Sequence, residues 1–180
     1  PDTEGAQLRT GYLFNGIELD LVSFEYVEFI SNEKKAKEFQ IPLNVAPSEI
    51  LKQGDLLKID FDAVIIQVTE VKKESVRGRV LEGGRIGLNK GISIDREISM
   101  PAFSKKDIEI FKLANQMGLK MVALSFASSG EDVKLLRSYY DYDIKVISKI
   151  ESKIALKNLE SICKQSDAIL IDRGDLSRDV

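Results

Sequence analysis

The sequence predicts an α/β fold joined to a small all-β domain, and two features of the chain carry this prediction. From about residue 12 to about residue 95, short apolar alternations are separated by turn residues, which is typical of β-strands. From about residue 100, a helical pattern followed by a buried strand recurs three times. This alternation predicts a parallel sheet with crossover helices, either a (β/α) barrel or a doubly wound sheet. The short, regular spacing favours the barrel.

The β-rich stretch begins with a hairpin signal. Asn15-Gly16 lies between Tyr12-Leu13-Phe14 and an alternating apolar run from Ile17 to Leu21, a pattern that predicts two antiparallel strands joined by a tight turn. Further strands are predicted in VSFEYVEFI, DLLKIDFDAVIIQVTEV and SVRGRVLEGG, and the lysine-rich segment SNEKKAKEF is predicted to be a solvated loop or edge. We expect a small β-barrel or sandwich.

The second half of the chain contains start and stop signals for its helices. Ser104 and Asp107 form a capping-box pattern before the helix IEIFKLANQM, and Gly118 follows that helix. Ser129 and Ser152 are placed to cap the helices EDVKLLRSYY and KIALKNLESICKQ. Strands are predicted in the segments between and after them, KMVALSF, DIKVISKIE and DAILID.

Composition excludes several classes of protein. The chain has 180 residues and a net charge of −3, unlike the strongly basic surface of a typical nucleic-acid binder. It has no histidine, which excludes Ser-His-Asp and Cys-His catalysis and histidine-ligated zinc. The one cysteine, Cys163, is interpreted as an inert residue on a helix face. Without an apolar run of membrane-spanning length or a signal-peptide pattern, we expect a cytoplasmic protein with no nucleic-acid or membrane partner.

Charged residues collect where two neighbouring strands of the predicted parallel sheet end. Lys149 and Glu151 break the apolar pattern of DIKVISKIE, and their i, i+2 spacing points both side chains the same way. The next strand ends in Asp172-Arg173-Gly174-Asp175. Carboxylates suit Mg²⁺, a lysine suits a transferring phosphoryl group, and a glycine lets a backbone N–H approach an anion. A solvated rim pair beside a turn with an aspartate helix cap fits the same residues, so both interpretations stay open here.

Five ordered segments resemble the pyruvate kinase family. The start, DTEGAQLRTG, is similar to that family's DTKGPEIRTG. VISKIES and SDAILIDRGDLS resemble its lysine-isoleucine-glutamate strand and the following strand that ends in ARGDLG. Between them GDLLKID, EGGRIGLNKG and MPAFSKKDIE match family landmarks in the same order, so the resemblance covers nearly the whole chain.

The resemblance implies part of a (β/α)8 TIM-type barrel with an inserted small β-barrel domain. Residues 1–11 and 96–180 would form the partial barrel catalytic domain, from the third to the sixth strand, and residues 12–95 the lid that closes over the site. It implies transfer of a phosphoryl group from phosphoenolpyruvate to ADP in glycolysis, giving pyruvate and ATP. It also implies a homo-oligomer and a longer parent chain, without which we expect the 180 residues to be inactive.

Carried over residue by residue, the resemblance implies a set of site residues. Lys149 matches the catalytic lysine, and Glu151 and Asp175 match the two Mg²⁺ ligands. The remaining matches are Gly174 and Asp175 for substrate, Asp2 and Thr3 for K⁺, and Arg9 and Lys90 for the nucleotide phosphates.

Several residues depart from the family pattern and leave alternatives open. The main ones are Asp172 in place of a small residue, Ser177 in place of a glycine, Glu4, Ala6-Gln7, Asp60-Phe61-Asp62 and Asn89. A carboxylate at position 172 is expected close to the substrate phosphate, where like charges repel. The alternatives are a catalytically weak relative that binds nucleotide, a phospho-ligand or a protein, and a barrel enzyme of enolate chemistry that does not use ATP.

Overall fold

The chain divides into two units in the computed structural model, which describes residues 1–5, 7–14, 16–31, 35–60 and 63–179. One unit is Leu8–Ser99, and the other combines Pro1–Gln7 with Met100–Val180. Residues 8–11 and 96–99, which are predicted from sequence to belong to the partial barrel, fall in the unit Leu8–Ser99. That the two units are a lid and a catalytic domain stays a prediction.

The unit Leu8–Ser99 is built from β-strands that alternate buried and exposed residues. Its elements are β1 (Glu18–Leu21), β2 (Tyr26–Ser31), β3 (Gln40–Leu43), α1 (Pro47–Ile50), β4 (Leu56–Ile59), β5 (Val64–Val71), β6 (Ser75–Glu82), β7 (Gly84–Gly87) and β8 (Ile92–Ile94). One sheet has the order β3-β2-β6-β5-β4-β8, and β1 pairs with β7. Apart from the parallel pair of β2 and β3, these ladders are antiparallel.

The core of this unit lies on one face of its central strands. Val64, Ile66 and Val68 of β5 and Val76 and Val80 of β6 are at most 1% exposed. Because successive residues of a strand point to opposite faces, the polar residues between them face solvent. Burying each such side chain contributes roughly 1.5–3 kcal/mol, so this face holds the sheet together.

The predicted hairpin around Asn15-Gly16 is wrong in its strand pairing. Leu13 and Gly16 form an antiparallel bridge, so a tight turn is present, but β1 pairs with β7 and not with the segment before the turn. Burial explains the difference. Leu13, before the turn, is buried, whereas Ile17, after it, is 64% exposed and Tyr12 is 70% exposed. The apolar alternation therefore does not define one shared face. Asn15 itself lies outside the described residues.

Other strand predictions in this unit are refined. The run DLLKIDFDAVIIQVTEV forms the two antiparallel strands β4 and β5, with residues 61–62 outside the described part of the chain. In VSFEYVEFI the strand begins only at Tyr26, because Phe24 has a φ of +76° and Glu25 N–H donates to the Val22 carbonyl in a turn. Residues 32–34 of SNEKKAKEF also lie outside the described residues.

The second unit alternates helices and parallel strands. Its elements are α2 (Lys105–Gln116), β9 (Met121–Leu124), α3 (Gly130–Arg137), β10 (Lys145–Ile150), α4 (Lys153–Lys157), α5 (Leu159–Gln165), β11 (Ala168–Ile171) and α6 (Arg173–Asp179). The strands form a parallel sheet in the order β11-β10-β9, and Asp2 adds a parallel bridge to Ala123 beside β9. Strands that follow one another in sequence are neighbours in space, which is the strand order of a (β/α) barrel.

The helix-start signals in this unit are confirmed. Ser104 with Asp107 forms a complete capping box, and Ser129 caps α3 in the same way with Asp132. Ser152 caps α4, but the predicted long helix is interrupted at Asn158 and continues as α5. None of the helices in the described ranges is long and apolar enough to cross a membrane.

Asp55 and Arg96 form an ion pair that connects the segment before β4 to the segment after β8. Arg96 Nε and Nη2 donate to the two Asp55 oxygens at 2.7 and 2.8 Å, and Nη2 also donates to the Ile50 carbonyl at 2.6 Å. The Lys52 N–H donates to Asp55 at 2.7 Å. Burial raises the pKa of the Asp55 carboxyl, but the hydrogen bonds from Arg96 and Lys52 outweigh burial and the pKa is lowered.

We expect Asp55→Ala to lower the free energy of unfolding by about 3 kcal/mol at pH 7, because Arg96 loses its buried partner. A carboxyl with a lowered folded pKa stabilises the fold above its unfolded pKa of about 4. That contribution is lost as the pH falls through the folded pKa, so the gap between the two proteins should narrow toward about pH 2. Urea denaturation at several pH values measures both effects.

The matched control is Asp20→Ala. Asp20 is paired in a similar two-point arrangement with Arg85, but the two side chains are 72% and 62% exposed. Solvent screens this pair, so the loss should be much smaller. Equal losses in the two variants would contradict the role given to burial.

A lysine and carboxylate cluster at the strand ends

The charged residues predicted at the strand ends lie together around Lys149. Its Nζ is 3.2 Å from Glu151 Oε1, 3.8 Å from Asp2 Oδ2 and 3.9 Å from Asp172 Oδ2. The Lys149 side chain is only 15% exposed. One ammonium group is thus surrounded by the carboxylates of three residues that come from separate parts of the chain.

The alternation of β10 explains why Lys149 and Glu151 share a side. Val146 and Ile150 point into the apolar core of the unit, so Lys149 and Glu151 point the other way. The parallel register places Lys149 opposite Leu170 of β11, and the Asp172 N–H donates to the Ile150 carbonyl at 3.2 Å. This register carries Asp172 to the end of β10.

Glu151 is buried, and both of its carboxylate oxygens have a partner. Its Oε2 accepts a hydrogen bond from the Phe126 N–H at 2.6 Å, and the residue is 2% exposed. Burial raises the pKa of the Glu151 carboxyl, and the Phe126 N–H and Lys149 oppose this only in part. Burial also disfavours the charged form of Lys149, but attraction to Glu151, Asp2 and Asp172 outweighs it and raises the Lys149 pKa. Lys149 is therefore an ammonium ion at neutral pH.

Ser125 is a site residue that the sequence reasoning missed. Lys149 Nζ donates to Ser125 Oγ at 3.2 Å, and Ser125 Oγ donates to the Thr3 carbonyl at 2.7 Å. The Ser125 N–H donates to Thr3 Oγ1 at 2.8 Å. Ser125 thus joins the segment that carries Asp2 and Thr3 to the end of β9. It follows that strand directly, so the strand-end rule applied to KMVALSF would have found it.

The carboxylates of Glu151, Asp172 and Asp175 form a set suited to a divalent cation. Each offers an oxygen, and these oxygens lie within 4.8 Å of one another. Oxygen donors of this kind fit Mg²⁺, which is held by one or two carboxylates with phosphate oxygens and water. The structure thus brings both predicted Mg²⁺ ligands together and adds Asp172.

The residues predicted to hold K⁺ are adjacent to this cluster. Asp2 Oδ2 faces Lys149 at 3.8 Å. Thr3 is 5% exposed, and its hydroxyl oxygen already accepts the Ser125 N–H. Asp2 therefore offers the more accessible oxygen of the pair.

Gly174 lies in the first turn of α6 and makes a local contact. Its N–H donates to Asp172 Oδ1 at 3.1 Å, and its carbonyl accepts from Ser177 Oγ at 3.0 Å. The backbone donor predicted to meet substrate is thus engaged by a side chain of the same loop.

Arg9 and Lys90 belong to the other unit, where they are close to each other. Arg9 Nη1 donates to the Asn89 carbonyl at 2.8 Å, and the Lys90 ammonium is 3.0 Å from Asp60 Oδ2. Asp60, the first residue of the segment that departs from the family's Asp-Asp-Gly, therefore partners Lys90. Ala6, Phe61 and Asp62 lie outside the described residues.

The fold and the site define a partial α/β barrel with a lysine and carboxylate cluster at its strand ends. A family model described as pyruvate kinase, barrel domain, matches residues 1–180. Pyruvate kinase of Thermotoga maritima is 30% identical over 99% of this chain, and that of Mycobacterium tuberculosis is 40% identical over 68% of it. The crystal structure of Cryptosporidium parvum pyruvate kinase has a TM-score of 0.89 and 28% identity over 99% of this chain.

The chain belongs to the pyruvate kinase family. This confirms the resemblance of the five sequence segments, and it confirms the predicted fold class, a partial α/β barrel with an inserted β domain. The chain spans between 27% and 40% of the length of these three relatives.

We expect Lys149→Met to lower the free energy of unfolding by about 3 kcal/mol at pH 7, because Glu151 is left buried without its cation. A carboxyl whose folded pKa is raised destabilises the fold as the pH rises above its unfolded pKa of about 4.3. Without Lys149 this effect grows, so the loss should be smaller at pH 5 than at pH 7. Denaturant unfolding in the presence of a chelator measures it.

Two variants control this experiment. Lys164→Met removes the lysine of an exposed pair with Glu160 and should leave the free energy of unfolding almost unchanged. Combining Lys149→Met with Glu151→Gln should restore much of the loss, since the buried charge is then gone. A loss of the same size at both pH values would exclude Glu151 as its cause.

Proposed function

We propose that the protein carrying this chain is a kinase of glycolysis that transfers a phosphoryl group from phosphoenolpyruvate to ADP, giving pyruvate and ATP. The observation that carries the proposal is the Lys149 ammonium, 3.2 Å from Glu151, which together with Asp172 and Asp175 forms a group of carboxylates at the strand ends. Membership of the pyruvate kinase family supports the reaction class. A lysine next to metal-binding carboxylates meets the main need of phosphoryl transfer, the stabilisation of negative charge.

In this proposal Lys149 stabilises the charge that develops during transfer. Its raised pKa keeps it protonated, and its contacts with Glu151 and Ser125 fix its position before substrate arrives. A fixed charge in a partly buried site needs no reorganisation during the reaction. The same ammonium stabilises the negative oxygen of the enolate that departs from the phosphoryl group.

Glu151 and Asp175 would hold Mg²⁺, with Asp172 within reach. When bound, the ion supplies positive charge to the phosphoryl oxygens. Asp2 would hold K⁺ with Thr3, and Gly174 and Asp175 would face the substrate. Arg9 and Lys90 would bind the nucleotide phosphates, and closure of the β-rich unit would exclude water. We also expect the full-length protein to be a homo-oligomer.

We expect Lys149→Met to lower the rate of phosphoryl transfer by at least about 10³-fold, because the removed charge acts mainly in the transition state. The measurement is ADP-dependent pyruvate formation by the longest natural polypeptide that carries this sequence. Circular dichroism and a working temperature well below the melting midpoint separate this loss from unfolding.

Lys145→Met is the matched control, since Lys145 is an exposed residue at the other end of β10. It should retain turnover, and undiminished turnover in Lys149→Met would refute the proposed role. Pyruvate formation that needs no ADP would instead favour the alternative of enolate chemistry without ATP.

A further inference from the structure

The carboxylate of Asp172 contacts the two groups that the proposed function assigns to the anionic substrate. Its Oδ1 accepts the hydrogen bond from the Gly174 N–H at 3.1 Å, and its Oδ2 lies 3.9 Å from Lys149 Nζ. Its side chain is 34% exposed, so it is accessible to a ligand from solvent. In this position the protein's own carboxylate takes the place of a bound anion.

A backbone N–H has one hydrogen to donate, so Asp172 and a substrate oxygen compete for Gly174. They also compete for Lys149, which already faces Glu151 and Asp2. A phosphorylated substrate therefore finds the Gly174 N–H already occupied, and it is repelled by the negative charge of Asp172. Like-charge repulsion at such distances weakens anion binding strongly in a partly buried site.

The opposite holds for a divalent cation. Asp172 adds a third carboxylate to Glu151 and Asp175, with the three oxygens within 4.8 Å. More ligand charge tightens the binding of a hard cation. Asp172 is thus placed to raise affinity for the cation and to lower affinity for the anion at the same site.

A role as a turn cap accounts for only part of this geometry. The bond from the Gly174 N–H is typical of an aspartate at the start of a helix, and α6 begins at Arg173. It does not explain why the second oxygen faces Lys149. The two roles are separable, because asparagine keeps an oxygen for Gly174 and loses the charge.

We propose that Asp172 is a specificity-determining residue that weakens binding of the phosphorylated substrate and strengthens binding of the divalent cation. The identity of the anion rests on the proposed function. The effect is electrostatic and local, since it depends on contacts with Gly174 and Lys149 in the same unit.

Calorimetry on the full-length protein tests this with Asp172→Asn and Asp172→Ala. We expect Asp172→Asn to bind phosphoenolpyruvate on the order of tenfold more tightly at saturating Mg²⁺, and Mn²⁺ alone on the order of tenfold more weakly. Asp172→Ala should bind phosphoenolpyruvate more tightly still, because it also frees Gly174. The gain should shrink between about 0.05 M and about 0.5 M salt, as screening requires.

A purely structural cap would give a different result. Asp172→Asn would then bind both ligands with the affinities of the wild type, and Asp172→Ala would bind both of them more weakly. Either of these results, or no binding of either ligand by any variant, would overturn the proposal. Asp143→Asn, which removes an exposed carboxylate just before β10, should change neither affinity.

These measurements do not need turnover, so the two proposals can fail separately. ADP-dependent pyruvate formation with unchanged affinities in both Asp172 variants would overturn the role of Asp172 alone. Opposite shifts in the two affinities, in a protein that forms no pyruvate, would overturn the proposed function alone.

Discussion

The buried contact between Lys149 and Glu151 is the interaction on which the site depends. Glu151 is 2% exposed, and a carboxylate so placed is tolerated because Lys149 and the Phe126 N–H both contact it. Those two contacts fix the ends of β9 and β10 against each other. Ser125 extends the same network to the segment with Asp2, so the geometry of the cluster follows from satisfying one buried charge.

Much of the fold could be predicted from sequence because local signals and tertiary packing agree there. Ser104 with Asp107 and Ser129 with Asp132 begin helices through hydrogen bonds within four residues, so tertiary structure is not needed to identify them. The hairpin at Gly16 failed for the opposite reason. Its turn is local, but β1 takes its partner from β7, more than sixty residues away, and no local pattern specifies that pairing.

The part of the site that could be predicted is the pair of charged side chains that a single strand, β10, places on one side. The i, i+2 spacing of Lys149 and Glu151 fixes their common side in any strand, and the structure places them 3.2 Å apart. Ser125 and the Phe126 N–H reach the site across the sheet, which a single segment does not reveal. Arg9 and Lys90, which are predicted to bind the nucleotide phosphates, lie in the other unit, so their part in the site stays a prediction.

The carboxylates at the strand ends lower the stability of the fold and favour the binding of a cation. Asp2, Glu151 and Asp172 all face Lys149, so the cluster carries more negative than positive charge before any ligand binds. Mutual repulsion of those charges costs folding free energy, and a cation that binds only the folded state returns it by mass action. The arrangement therefore fits the proposed use of a divalent cation at this site. Asparagine is able to cap the same turn through Gly174 without a charge, so in the proposal the charge of Asp172 acts on ligand binding rather than on the turn.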